Sequence, residues 1–265
     1  MDALRGTGMP YRRRVAVFAG TTEGRRLVEH LSSRGVDTVA FVATSYGASL
    51  IAGLPHVRVR EGRLDAAQMA LAIADCSDAV DATHPFARQA HAAIREAAAS
   101  AGVRHLRLAR PAVPRHEGAL YVADTSAAVD AVAAGAGAVL LATGSKELAA
   151  FTGRAGLADR LYPRVLPDEE VISQVRALGV PRSHIIAMQG PFSLEFNIAL
   201  LKQIGAAWLV TKESGDAGGQ DDKIEAALGA GAVPVVIERP AEPADACDFE
   251  QVCLRLTGAA PKGSR

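Results

Sequence analysis

The sequence predicts an α/β protein built from two Rossmann-like domains with parallel sheets. Three observations carry this expectation. Short apolar runs alternate with amphipathic stretches from Val15 onward, the alternation comes as two similar series, and the loops after the runs are rich in glycine and hydroxyl residues. The bulk numbers permit it: 265 residues with 49% hydrophobic and 22% charged side chains can bury real cores. Single cores stop growing at about 250 to 300 residues, so two domains of ordinary size fit as well as one large one.

In the first series the apolar runs read as strands over residues 15–19, 38–43, 57–60, 79–82 and 105–108. The stretch 22–34 reads as a helix because Leu27, Val28 and Leu31 share one face and Gly35 follows as a stop signal. An Ala-rich helix is expected over 85–101, opened by Pro85, where a missing N–H costs nothing, and ended by Gly102. The second series gives strands over 138–142, 161–166, 184–188, 207–211 and 233–238, and helices over 146–151, 168–178, 193–204 and 222–228. Between Pro111 and Gly135, Arg-Pro, Pro114 and a run of small residues interrupt the pattern, which sets the expected domains at 14–123 and 124–256. A single sheet of about ten strands is the competing arrangement, though less usual. The tail from Ala259 reads as frayed.

Lys plus Arg and Asp plus Glu both total 29, so no global field draws in nucleic acid or an anionic membrane. Any anionic ligand must be met by local charge. Cys76, Cys247 and Cys253 have no metal-ligand spacing, so neither a metal site nor a disulfide framework is expected. No segment approaches the roughly 18 apolar residues of a membrane span. The basic stretch before Val15 leads into no apolar run of signal-peptide type, and the location reads as cytoplasmic.

Ligands of open parallel sheets bind outside the carboxyl ends of the strands. After the first run stands Gly20-Thr21-Thr22-Glu23, opening a helix whose N–H groups suit a phosphate; the same residues also make a plain helix cap. The second run ends in Ala43-Thr44-Ser45 with no carboxylate for a ribose 2′-OH, so Thr44 and Ser45 favour a 2′-phosphate and hence NADPH, unless the segment is simply a turn. Asp81-Ala82-Thr83-His84-Pro85 puts His84 at the mouth of the sheet, in a functional or a structural role, while Asp81 is a candidate buried or capping carboxylate. Arg63 and Arg110 follow the third and fifth runs. Thr143-Gly144-Ser145-Lys146, Gln189-Gly190-Pro191-Phe192 and Thr211-Lys212-Glu213-Ser214-Gly215 repeat the arrangement in the second half, and 216–221 reads as a lid or an idle loop.

Taken in order, these loops, together with Gly62-Arg63-Leu64, Arg110-Pro111 and Arg164-Val165-Leu166-Pro167, resemble the precorrin-6A reductases of cobalamin biosynthesis over about residues 15–240. Three positions depart from the family pattern: Gly24 in place of Ala, Glu213 in place of Asp, and Ser145-Lys146 where Arg is common. The resemblance implies one domain for NADPH, one for the tetrapyrrole, and a site in the cleft between them. It also implies an exchange of last strands, which would carry 233–238 into the first sheet. The implied reaction moves a hydride from NADPH to the macrocycle, giving precorrin-6B. Cofactor contacts are then expected from Gly20, Thr21, Thr22, Glu23, Thr44, Ser45, Thr83, His84 and Pro85, and contacts to the substrate's carboxylates from Arg25, Arg63, Arg110, Lys146, Arg164, Lys212 and Ser214. Glu213 and His84 are the candidate catalytic residues, with a bound water as the other source of the proton. The expected partner is the anionic precorrin, with hand-over to the next enzyme of the pathway. Another NADPH-dependent reductase on the same scaffold, a nucleotide-sensing module without catalysis, and a tetrapyrrole methyltransferase are the rival readings.

Overall fold

The structure, a computed structural model, describes residues 13–111, 114–214 and 219–259. Two compact units divide the chain: Met1–Ala112 with Pro240–Arg265, and Val113–Arg239.

The first unit carries β1 (Arg14–Phe18), β2 (Asp37–Val42), β3 (Val57–Glu61), β4 (Asp78–Asp81) and β5 (Arg104–Arg107), all parallel, in the order β3-β2-β1-β4-β5. Its helices are α1 (Thr22–Ser33), α2 (Ser45–Ser49), α3 (Ala66–Ile73) and α4 (Arg88–Ala101). Both faces of the sheet are covered, which is why β1 is apolar from Val15 to Phe18. Val15 and Val17 pack on the side of Leu27, Val28 and Leu31 of α1, whereas Ala16 and Phe18 pack on the side of Met69, Ile94 and Ala98 of α3 and α4. Helix α4 starts at Arg88, later than Pro85 suggested, because the chain turns through Ala87, whose N–H bonds to the His84 carbonyl before the helix begins.

The second unit holds β6 (Leu120–Val122), α5 (Thr125–Ala134), β7 (Ala138–Leu141), α6 (Leu148–Thr152), β8 (Leu161–Val165), α7 (Glu169–Ala177), β9 (Ile186–Ala187), α8 (Leu194–Gln203), β10 (Ala206–Lys212), α9 (Gln220–Gly229) and β11 (Val233–Ile237). The sheet order is β6-β11-β10-β7-β8-β9, again parallel. With β7 as the first strand, this is the same doubly wound order as in the first unit, and β6 fills the outer sixth position.

That sixth position locates the exchange, and it corrects the expectation for residues 233–238. β11 stays in the second sheet, hydrogen-bonded between β10 and β6. The crossing segment comes later. Cys247 pairs in parallel with Leu108, beyond β5, with Cys247 N–H donating to Arg107 O at 2.9 Å and Ala109 N–H to Cys247 O at 2.8 Å. The first sheet thus receives its sixth position from the segment after residue 239, whereas the second takes β6 from the residues just before β7. After Cys247, α10 (Phe249–Thr257) packs on α1, with Val252, Cys253 and Leu256 buried in the core of the first unit. The break also falls earlier than position 123, since β6 already belongs to the second sheet.

Among the described residues no helix is long and apolar enough to cross a membrane, and no cluster of His, Cys, Asp and Glu could hold a metal ion. The three cysteines are free and buried. The proposed lid at 216–218 and the tail beyond Ala259 lie outside the described residues, whereas Gln220 and Asp221 open α9.

Candidate active site

In the first unit a cleft of about 270 Å³ opens at the carboxyl ends of β1 and β2, lined by Gly20, Thr21, Arg25, Thr44, Tyr46 and Gly47 among others. It lies at the N-terminus of α1, where helix N–H groups point outward without intrahelical partners. A Cβ on Gly20 would meet Thr83 at 3.4 Å and beyond, an ordinary contact, so internal packing does not demand glycine there. Gly24 is different: a Cβ would lie 3.0 Å from both Ala19 Cα and Ala82 Cβ, so Ala at this position presses α1 against the sheet as well as altering the helix start.

Thr21 caps α1. Its hydroxyl accepts from Gly24 N–H at 3.0 Å and donates its one hydrogen to Ala82 O at 2.9 Å, so the side chain ties β4 to α1 and only the backbone N–H is left for an anion. Thr44 caps α2 by accepting from Gly47 N–H at 3.1 Å, and its own hydrogen remains to donate. Glu23 pairs with Arg110 at 3.1 Å, so the structure brings together one residue expected at the cofactor and one expected at the substrate. Arg25, also expected at the substrate, stands in the wall of the cleft beside Thr44, held only by an exposed contact of 3.6 Å to Glu29. Ser45 and Arg63 are exposed.

The loop after β4 rests on a buried ionic network. Asp81 accepts from Thr83 N–H at 3.0 Å, Thr83 Oγ1 at 2.6 Å, His91 Nδ1 at 2.7 Å and Arg107 Nη1 at 3.1 Å. Arg107 also donates to the carbonyls of Asp81 and Thr83, and its Nε and Nη2 reach both oxygens of Glu242, a bidentate pair. His91 Nε2 lies 3.2 Å from Pro85 O. These bonds fix Thr83, His84 and Pro85 in space. Thr83 spends its hydroxyl within the network, while His84 Nδ1 accepts from Phe86 N–H at a long 3.4 Å, leaving Nε2 to carry the hydrogen.

Burial pushes the Asp81 carboxyl up, but the bonds from His91 and Thr83 and the charge of Arg107 outweigh it and bring it to about 2, from 3.8. A depressed carboxyl stabilises the fold above its unfolded pKa, and that contribution disappears as pH falls through its folded pKa. Stability should therefore drop by about 2 kcal/mol between pH 4 and pH 2 on account of this group. Denaturant titrations of wild type and Asp81→Asn check it, because the variant should lack that part of the acid loss.

In the second unit Lys212 pairs with Glu147 at 2.8 Å, and Glu213 accepts from Arg239 N–H at 3.1 Å while facing its guanidinium at 3.6 Å. Ser214 N–H donates to the buried Gln220 Oε1 at 2.8 Å. Arg164 is buried, donates to Asn197 Oδ1 at 2.7 Å and lies over the Phe192 ring at 4.4 Å. Lys146 is exposed. At the carboxyl ends of β8 and β9, Leu166 and Met188 are exposed large apolar side chains, which suit a flat apolar ligand.

Residues 14–257 match the family described as precorrin-6x reductase CbiJ/CobK. The chain belongs to this family. Among its relatives is the cobalt-precorrin-6A reductase of Priestia megaterium, 36% identical over 85% of this chain and 90% of its own. The precorrin-6A reductase of Rhodobacter capsulatus is 32% identical over 92% of this chain and 93% of its own. A solved structure of a CobK precorrin-6A reductase, 30% identical, superposes with a TM-score of 0.72, covering 94% of this chain and 98% of the other. As a precorrin-6x reductase the chain is an oxidoreductase that uses a nicotinamide cofactor and acts on a tetrapyrrole.

Reading the loops one at a time missed His91, Arg107, Glu242, Asn197 and Lys223. Helices α3 and α10 were missed as well, yet each carries a capping box, Asp65 with Gln68 and Asp248 with Gln251, and that four-residue spacing is visible in the sequence. No local spacing links Arg107 to Glu242.

Proposed function

We propose that the chain reduces precorrin-6A to precorrin-6B with NADPH during construction of the corrin ring. The cleft in the first unit carries the cofactor assignment, since it joins Gly20, a helix N-terminus, the Thr44 hydroxyl and the Arg25 guanidinium, and no carboxylate lines it. When bound, NADPH supplies the hydride. The chain's own part is to bind and orient: the N–H groups at the start of α1 hold phosphate, and Arg25 with Thr44 and Ser45 takes the 2′-phosphate, so Arg25 moves from the substrate set to the cofactor set. In the second unit Lys146, Lys212 and Ser214 meet carboxylates of the ring, and Leu166 and Met188 its apolar surface; Arg63 of the first unit is a separate candidate for a substrate carboxylate. Of the two candidate proton donors, His84 is favoured, because an imidazole can carry the proton and its loop is held by the Asp81 network, whereas Glu213 is an ion-pair partner of Arg239. The neighbouring enzyme that receives precorrin-6B and the cytoplasm as location complete the reading.

Steady-state kinetics test it. Arg25→Ala should raise the KM for NADPH by about tenfold, the loss of one charge-assisted contact, and move that for NADH by less than about twofold. Equal losses for both cofactors would return Arg25 to another role, and a purified chain that bleaches no precorrin-6A on addition of NADPH would refute the reductase. Lys212→Ala should weaken binding of the ring far more than binding of NADPH.

A second reading keeps the reaction and changes the ring. The relatives of higher identity are named for cobalt-precorrin-6A, and assays with the cobalt-bearing and cobalt-free rings side by side decide which is preferred.

A further inference from the structure

Arg164 sits on β8 with its side chain only 6% exposed, and among the described residues no carboxylate lies within ion-pair distance of it. Asn197 Oδ1 takes one of its N–H groups, and Phe192 covers the guanidinium face. Asn197 is itself fixed, since its Nδ2 donates to Ser193 O at 2.9 Å near the start of α8. A guanidinium has five N–H donors, and the one bond to Asn197 together with a ring face does not offset the loss of its hydration. Near the start of α9, which packs on α8, stands Lys223, a second cation in the same field. Burial, and after it the charge of Arg164, push the Lys223 ammonium down to about 8, while burial brings Arg164 to about 10. The starts of α8 and α9 add positive potential of their own.

A buried guanidinium with no ionic partner among the described residues, and with the charge of Lys223 in its field, is a cost that the fold alone does not explain. We infer that Arg164, Asn197 and Lys223 form a receptor for one carboxylate arm of the ligand, with Phe192 walling it off from water. This rests on the tetrapyrrole reading and deepens it: among the acetate and propionate arms of a precorrin, one enters a buried site, while the exposed Lys146 meets another from solvent. A planar guanidinium takes a carboxylate through two parallel bonds, which fixes the orientation of the ring as well as its charge.

Arg164→Met separates this role from a structural one, because replacing a buried charge that lacks an ionic partner by an apolar side chain of similar length is neutral or stabilising, whereas removal of a structural group lowers the Tm. Kinetics with NADPH and precorrin-6A, together with thermal melts, should show a KM for the ring raised by at least about tenfold, a KM for NADPH changed by less than about twofold, and a Tm equal to or above that of wild type. Lys223→Met should raise the KM for the ring in the same direction, and it decides the matter if Arg164→Met fails to fold. A ring KM within about twofold of wild type in either folded variant overturns the receptor. Failure of wild type to turn over the ring sinks the reductase reading instead. In that case the receptor is judged by titration with uroporphyrin, a ring bearing acetate and propionate arms: weaker binding to Arg164→Met than to wild type supports it, and equal binding or no binding to either overturns it.

Discussion

A chain ending at Arg239 should lose the first unit while keeping the second. The segment removed supplies Cys247, which extends the sheet beside Leu108, the buried Val252, Cys253 and Leu256 of α10, and Glu242, which holds Arg107. Burial of each large apolar side chain contributes about 1.5 to 3 kcal/mol, so the apolar loss alone is on the order of 5 kcal/mol or more, comparable with the whole stability of a small domain. The expected result is loss of the NADPH-dependent Tm shift with protection of Val113–Arg239 against protease. A truncated chain that still binds NADPH with wild-type affinity would show that α10 is dispensable.

Arg107→Met should be the most damaging single substitution outside the ligand-binding residues. The guanidinium is 4% exposed and satisfies Asp81, two carbonyls and both oxygens of Glu242. Removing one member of a buried ionic group costs about 3 to 5 kcal/mol, because the partner carboxylates stay behind without compensation. Urea unfolding should show that drop, and NADPH affinity should fall with it, since Asp81 and Thr83 lose the group that anchors the β4 loop beside Gly20. The double substitution Arg107→Met with Glu242→Gln should recover part of the loss, and strict additivity of the two single effects would break the proposed coupling.

Much of the fold is legible because the inner residues of β1, β2, β4, β7 and β10 are covered on both faces and therefore read as short apolar runs. The run at 184–188 shrank to the two residues of β9, since only its middle lies against β8. β6 escaped notice because three residues, Leu120–Val122, give no period to read. The loops at the strand ends are legible for a similar reason: in open parallel sheets ligands bind at the carboxyl edge, which is where Gly20, Thr44 and His84 stand. What sequence does not supply is partnership. No local spacing announces that the Thr21 hydroxyl bonds to Ala82 O or that Arg110 pairs with Glu23. Asp81 was recognised as a buried or capping carboxylate, yet its network closes through Glu242, 135 positions beyond Arg107, where no periodicity reaches. The same limit hid the exchange, because an apolar run reports that it is buried and says nothing of which sheet buries it.

The placement of Cys247 and α10 also sets an order of events during synthesis. Residues 113–239 emerge as one contiguous stretch and can complete their core while translation continues, but the first-made strands, β1 to β5, wait for the last-made helix before their own apolar face is closed. The half of the molecule translated first is thus the half that matures last. Ribosome-arrested chains ending at Arg239 followed by a linker long enough to clear the exit tunnel should accordingly show the later-made unit resistant to protease and the earlier-made one still digestible, and the opposite pattern would mean that the first sheet closes without its C-terminal cover.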